Sequence, residues 1–357
     1  MKKQSFIALL LCMAICLSAC SMGGNKTGKA DVHVFYYTYS DPYISSVRSA
    51  LDSKLRGAGI AFQDYDGNGN QTTQTEQVQT AITKGAKCVI VNIVNTGSDD
   101  AAAGIVQLAK NAGIPVIFFN REVSDSVVAS YDKCAFVGTD AAEAGHLQGE
   151  MIGEYLTEHM DKLDLNGDGQ ISYILFKGEE GNNEAIYRTQ YAVEDANRIL
   201  KTKGYQPLKF YDSSNANRYL VDKNGQWSAA ASNEFMTTAL TSFSEAKNNM
   251  IELVICNNDN MAEGAVSALN NAGYNKGVGS KSIPVFGVDA TDAAKELIRD
   301  GKMVGTIKQD ADGMAEALLL LAKNGLEQGD LMQGTKDYHV DQSVDKIRIA
   351  YAKYLGE

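Results

Sequence analysis

The chain has 357 residues, with 44 acidic against 33 basic side chains, a formal net charge of −11 and an apolar share of 44%. That acidic balance excludes a nucleic-acid binder, which needs a basic face to neutralise phosphates. The length is too great for one ordinary core and suits two domains.

The amino terminus reads MKKQSFIALLLCMAICLSAC. Lys2 and Lys3 form a positive region, and Phe6 to Leu17 is an apolar run too short to span a bilayer, so this is a secretory signal. Leu17-Ser18-Ala19-Cys20 resembles a bacterial lipoprotein cleavage box, and Cys20 is expected to carry a lipid after processing. A plain cleaved signal with an incidental Cys20 is the alternative. Residues 21–30, SMGGNKTGKA, read as a flexible tether. Both readings place the mature chain outside the cytoplasm. Of the six cysteines, Cys88, Cys134 and Cys256 then remain. Their spacing suits neither a disulfide framework nor zinc, so they are expected to be buried thiols.

Strands and helices alternate from there on. Strands are expected over Val32–Tyr39, Ile60–Gln63, Cys88–Val94, Pro115–Phe119 and Ala135–Gly138. Helices fall between them at about Tyr43–Leu55, Gln77–Ile82 and Ala101–Asn111, and a longer one runs from Ala141 to about His159. The second half repeats the grammar, with strands Tyr173–Phe176, Pro207–Phe210, Leu253–Cys256 and Val285–Val288. Its helices lie near Glu184–Leu200, Ser232–Ser244, Ala262–Asn271 and Ala293–Asp300. Ala311–Asn324 adds one more helix and Ile347–Tyr351 a last strand. Alternating βα units force parallel sheets with right-handed crossovers, giving an α/β protein of two doubly wound domains with a cleft between them. Only four prolines are present, so no rigid linker separates the halves and several crossings between them are expected.

Between the long helix and the strand that opens the second half lies DLNGDGQIS. Asp164, Asn166 and Asp168 occupy every second position, Gly169 sits at the sharp turn, Gln170 would offer its backbone carbonyl and Ser172 stands at position nine. This is two-thirds of an EF-hand-type calcium loop. Position twelve is Leu175 where a bidentate Glu is needed, so a remote carboxylate must complete the shell or the stretch is a solvated turn.

Catalytic patterns are sparse. No G-x-S-x-G nucleophile elbow, phosphate loop or histidine metal spacing occurs. The strand ends carry planar polar groups instead: Asp41, Asn120-Arg121, Asn182 to Arg188, Asn257-Asn258-Asp259, Asp289 and Gln309-Asp310. Each alone reads as a helix cap or loop residue. Six at successive strand carboxyl ends converge on the cleft. Asp, Asn, Gln and Arg can each grip two neighbouring ring hydroxyls, and the C–H faces of a sugar pack on aromatics such as Tyr43 and the single tryptophan, Trp227.

The stretches Tyr39–Arg48, AKCVIVNIV, PVIFFNRE, YDKCAFVGTD, DLNGDGQI, KGEEGNNEA with Arg188, ELVICNNDNMAEGAV and SIPVFGVDA resemble the bacterial galactose/glucose-binding proteins. These are extracytoplasmic subunits of sugar ABC importers with the type I periplasmic binding protein fold. The resemblance covers nearly the whole mature chain. It implies sugar contacts at Asp41, Asn120, Arg188, Asn258 and Asp289, with Tyr43 (usually Phe in that family) and Trp227 stacking on the ring. It implies that Glu252 completes a structural calcium site with Asp164, Asn166, Asp168 and Gln170, although Ser172 replaces the family's Gln. Asn182, Glu184 and Gln309 stand where the family has His, Asp and Asn, and an insertion spans Ser214–Gly225, so the sugar preference is expected to differ. The implied domains are about 31–139 with 311–345, and about 140–310 with 346–357.

The resemblance further implies a monomer that closes over a monosaccharide and engages a membrane permease, held at the membrane by its lipid. A sensory lipoprotein that signals to a chemoreceptor is one alternative. A secreted sugar-processing enzyme is another, disfavoured because the carboxylates are scattered among amides instead of flanking one bond.

Overall fold

A computed structural model describes residues 29–356; the signal over residues 1–20, the expected lipid on Cys20 and residues 21–28 of the tether lie outside the described residues. The chain first runs through β1 (Val32–Tyr36), α1 (Pro42–Gly57), β2 (Phe62–Asp66), α2 (Gln71–Thr83) and β3 (Cys88–Val91). It continues through α3 (Asp100–Ala112), β4 (Val116–Phe119), α4 (Asp125–Ala129) and β5 (Cys134–Gly138). Next come α5 (Ala141–Leu163), β6 (Ser172–Lys177), α6 (Asn183–Thr202), β7 (Lys209–Phe210), β8 (Leu220–Val221) and α7 (Ala229–Ser242). The series β9 (Leu253–Cys256), α8 (Asp259–Asn271), β10 (Val285–Asp289), α9 (Asp292–Arg299) and β11 (Gly305–Gln309) follows. The chain ends with α10 (Ala311–Leu326), β12 (His339–Val340), β13 (Lys346–Arg348) and β14 (Tyr351–Tyr354).

Two seven-stranded sheets result, ordered β12-β13-β5-β4-β3-β1-β2 and β14-β11-β10-β9-β6-β7, with β8 beside β6. Pairing is parallel except for β12 on β13 and β14 on β11. Helices cover both faces of each sheet, so a strand such as β1 sends Val32, Val34 and Tyr36 into one core and Phe35 into another. Strands buried on both faces appear as unbroken apolar runs, which is how CVIV and VIFF read. The second sheet is likewise sandwiched between two cores. Cys88, Cys134 and Cys256 are buried free thiols in these layers.

One close contact bears on the site. Gly145 and Gly149 of α5 lie so near α6 that a Cβ at either would stand 2.5 Å from a backbone oxygen, of Tyr187 and Tyr191 respectively. The helices can touch there only because these positions lack side chains. This sets the level at which α6 presents its first two turns.

The chain passes between the sheets three times, after β5, after β11 and between β13 and β14. The last crossing departs from expectation. Ile347–Tyr351 is not one strand, and the passage falls at Ile349–Ala350 instead of at residue 345. Lys346, Ile347 and Arg348 pair with Phe136, Val137 and Gly138 of the first sheet, whereas Tyr351 pairs with Gln309 of the second. Buried Lys346 fixes that choice, donating to Val123 O at 2.6 Å and pairing with Asp125 at 2.8 Å. A lysine needs such partners to be buried at all.

Candidate functional site

Twelve residues drawn from both domains line one cavity of about 370 Å³, its mouth included. Trp227 lies between β8 and α7, and the others stand at or beyond the carboxyl ends of β1, β4, β6, β9, β10 and β11, where open α/β sheets bind small molecules. All ten residues expected from the sequence to face a ligand are among them.

Five of them reach the cavity from helix starts. Asp41 caps α1, its Oδ1 accepting from Ile44 N at 3.0 Å and its Oδ2 from the Tyr37 hydroxyl at 2.6 Å. Asn182 caps α6 by accepting from Ala185 N at 3.1 Å, and Asn258 caps α8 by accepting from Met261 N at 3.0 Å. Each cap spends one oxygen on the helix; Asp41 Oδ2 is also shared with Tyr37, Asn258 Nδ2 donates to Trp227 O at 3.4 Å, and all three side chains line the cavity. Glu184 and Arg188 sit one turn apart on α6, and Tyr43 opens α1 with its hydroxyl 3.7 Å from Met314 Sδ.

Backbone strain also gathers here. Asn120, Trp227 and Asp289 have φ of 60°, 54° and 127°, which non-glycine residues rarely adopt. Trp227 is held in place by its surroundings. Asn260 Nδ2 donates to its carbonyl at 3.0 Å, and buried Asp222 accepts from Ser228 N at 3.1 Å and from Ser228 Oγ at 2.8 Å. The insertion over Ser214–Gly225 thus supplies β8 and Asp222, and steadies the approach to the indole.

The buried Arg188 guanidinium donates to Asn257 O and Tyr351 Oη, both at 2.9 Å, and lies 4.0 Å from Asp289 Oδ1. Its carbon stands 5.7 Å from the Trp227 ring centre. Burial opposes the charge on Arg188, but Tyr351, Asp289 and Glu184 outweigh it and hold its pKa above the ordinary value. Burial pushes Glu184 up to about 7, against the pull of Arg188. Burial also raises Asp289, again opposed by Arg188. Both Glu184 carboxylate oxygens, Arg188 Nε, Gln309 Nε2 and Arg121 Nε are buried with no protein partner. Buried polar atoms without partners are uncommon in folded proteins, and these five belong to residues lining one cavity, where a polar ligand would satisfy them.

Two lining residues escaped sequence reasoning. Tyr37 lies in an apolar strand run and reads as core. Arg121 is one of the strand-end groups, but its sequence context does not separate it from an ordinary loop residue. Arg121 lies over the Tyr37 ring, donates to Val94 O at 2.9 Å, and reaches across the cleft to Glu179 of the second domain at 2.8 Å. The two lips therefore touch.

A family model described as the periplasmic binding protein domain matches residues 32–330. The chain belongs to the periplasmic binding protein family. The D-galactose/methyl-galactoside binding periplasmic protein of Haemophilus influenzae is 32% identical over 330 residues, spanning 92% of this chain and 91% of that one. Two solved structures share the fold. One is an ABC transporter solute binding protein from Bacillus halodurans with bound myo-inositol, with TM-score 0.69, 24% identity and coverage of 93% of this chain and 96% of that one. The other, from Actinobacillus succinogenes with bound D-allose, has TM-score 0.70, 20% identity and coverage of 92% and 98%. As a periplasmic binding protein the chain is a binder and not an enzyme.

The calcium-like loop of this binding protein lies at the other end of the second sheet, ahead of β6 and β9. Gly167 and Gly169 adopt the left-handed turns (φ 67° and 76°) such a loop requires. Asp164 accepts from the amides of Gly167 and Gly169 at 2.7 and 2.8 Å, and Asp168 from Gln170 N at 3.0 Å. Glu252, fully buried, accepts from Asn166 N and Ser172 N at 2.8 Å each. Asn166 exchanges both side-chain hydrogen bonds with Met250, at 2.7 and 2.9 Å, and Ser172 Oγ donates to Met250 O at 2.6 Å. Among the described residues no three His, Cys, Asp or Glu side chains already converge as a metal cage. The donor set nevertheless suits a hard cation. The Gln170 side chain is turned to Pro207 O at 2.7 Å, and no cationic side chain among the described residues pairs with Glu252. Burial, with Asp164 adding to it, raises the Glu252 pKa. Glu252 is held by two backbone N–H groups, and a cation bound beside it would offset its buried charge.

Proposed function

We propose that this periplasmic binding protein captures an aldohexose pyranose, glucose or galactose, between its domains and delivers it to the permease of an ABC importer. The observation that carries this reading is a cavity between the two domains whose buried carboxylate, guanidinium and amide atoms have no protein partner, beside Tyr43 and Trp227. Hydroxyl protons of the sugar satisfy Asp41, Glu184 and Asp289. Its oxygens take the N–H groups of Arg188, Asn120, Asn182, Asn258 and Gln309, and its apolar faces lie against the two aromatics. Closure expels water, which strengthens each of these bonds. The galactoside-binding relative supports this sugar class.

The leader supports an extracytoplasmic location with Cys20 as a lipid anchor, and the mature protein is a monomer. Calcium, held by Asp164, Asn166, Asp168, the Gln170 carbonyl, Ser172 and Glu252, is structural: it neutralises buried charge and braces the loop between α5 and β6.

Calorimetry of the mature protein against D-glucose, D-galactose, D-ribose, D-allose and myo-inositol tests the reading. One of the first two is expected to bind most tightly and to be recovered unchanged. Tightest binding to any of the other three, or no heat with any, refutes it.

A further inference from the structure

One guanidinium gathers all three chain crossings. Arg188 Nη2 donates to the hydroxyl of Tyr351, the first residue after the third crossing, at 2.9 Å, and to Oε1 of Gln309, the last residue before the second, at 3.4 Å. The Tyr351 hydroxyl is in turn 2.9 Å from Thr139 Oγ1, at the first crossing. Thr139 belongs to the first domain, where Arg348 Nη1 donates to its carbonyl at 2.9 Å. Tyr351 belongs to the second sheet through its pairing with Gln309. The Tyr351–Thr139 hydrogen bond therefore spans the two domains at the hinge and is almost wholly buried. The far side of the same guanidinium lines the ligand cavity and carries the orphan Nε.

We propose that Tyr351 is a positioning residue that couples ligand contact at Arg188 to the closed angle of the hinge. The inference rests on the sugar-binding reading above. Arg188 cannot rotate to meet a ligand without moving the Tyr351 hydroxyl, because its Nη1 is anchored to Asn257 O at 2.9 Å. The Tyr351 hydroxyl in turn sets where Thr139, and with it the first domain, can sit. A ligand that fixes the guanidinium plane therefore favours the domain angle at which this relay is intact, and by linkage the relay favours the ligand.

Tyr351→Phe keeps the ring and removes both hydrogen bonds of the hydroxyl, to Arg188 Nη2 and to Thr139 Oγ1, whereas Thr139→Val removes only the second. Three quantities are measured for both variants: affinity for D-galactose and D-glucose by calorimetry, sugar release by stopped-flow Trp227 emission, and the radius of gyration at saturating sugar. Tyr351→Phe is expected to lose about tenfold in affinity for the better ligand, chiefly through faster release, with a larger radius when saturated. Thr139→Val, remote from the cavity, should move release in the same direction. The double variant should be no worse than Tyr351→Phe alone, since both break one relay. Affinity within twofold and unchanged release in Tyr351→Phe overturn the proposal, as does a lower melting temperature with unchanged release and radius. Sugar binding by the unsubstituted protein with an inert Tyr351→Phe refutes only the relay, whereas no sugar binding by the unsubstituted protein refutes the functional reading and the relay with it.

Discussion

Gly178 lies directly beneath Trp227, so that a single added methyl would overlap the indole ring. The indole can stand in the cavity only because the strand-end loop beneath it has no side chain at that point. Trp227 Nε1 also points to Glu179 Oε2, at 3.4 Å, one residue along the same loop. Gly178→Ala should therefore displace the indole without touching any hydrogen-bonding residue of the cavity. The expected result is a sugar affinity reduced about tenfold or more, with a shifted Trp227 emission in the unliganded protein. Unchanged emission and affinity would show that the ring has room to spare.

The elements that position the site were legible for a physical reason. Strands covered on both faces leave unbroken apolar runs, and the loops after them end in helix caps, so Asp41, Asn182 and Asn258 announce themselves twice, as helix starts and as polar groups at strand ends. Arg121 and Tyr37 were harder. The use of Arg121 depends on Glu179, fifty-eight positions away, and Tyr37 has no mark that separates it from its core neighbours. The division of KIRIAY between two sheets leaves no local trace either, since Ile349–Ala350 crosses with neither glycine nor proline. Only the buried ion pairs of Lys346 and the register with Phe136 reveal it.

Glu184 should give the unliganded protein a specific pH signature. Its carboxyl is pushed up to about 7 by burial, whereas an unfolded Glu titrates near about 4.3. Between those values the folded state keeps a proton that the unfolded chain has released. Its contribution to stability is thus full below about pH 4.3 and is lost as pH rises through 7. Glu184→Gln, neutral throughout, removes that component. Buried Asp259 shifts in the same direction but remains in both proteins, so their difference isolates Glu184. Urea midpoints at about pH 5.5 and about pH 8 should fall less with rising pH in the variant than in the parent. Equal slopes would mean that Glu184 is already paired.

Calcium removal should weaken the fold and spare the sugar site. Glu252 precedes β9 and the cavity lies beyond that strand's opposite end, so the loop and the ligand share no side chain. An ion that binds only the native state stabilises it by mass action, by about 2.7 kcal/mol at a hundredfold excess over its Kd. A chelator is therefore expected to lower the melting temperature by several degrees, with calcium but not magnesium restoring it, while sugar affinity stays within about threefold. Glu252→Gln should remove the chelator effect. A melting temperature indifferent to both would leave the loop held by the Glu252, Asn166 and Met250 hydrogen bonds alone.

Sugar preference should respond to Glu184 and Gln309 as a pair. Both line the cavity and both approach Arg188, Gln309 through its Oε1 at 3.4 Å and Glu184 by its charge. Each is one methylene longer than the residue that galactose/glucose-binding proteins place there, and both leave polar atoms without a protein partner. In a pocket that grips hydroxyls in pairs, moving a carboxylate by one carbon–carbon bond re-aims its hydrogen bonds. An orphaned buried group costs roughly 1–3 kcal/mol, about ten- to a hundredfold in affinity. Glucose and galactose differ by the orientation of one hydroxyl, so such an adjustment acts on their ratio more than on their common affinity. Glu184→Asp and Gln309→Asn together should therefore shift the glucose-to-galactose affinity ratio by more than the two single shifts combined, because the residues share Arg188 as a neighbour and cannot act independently. Calorimetric titration of the four proteins with both sugars measures this coupling. A double variant whose two affinities stay within twofold of the parent would place the selective contact elsewhere in the cavity, with Asn182 the next position to exchange.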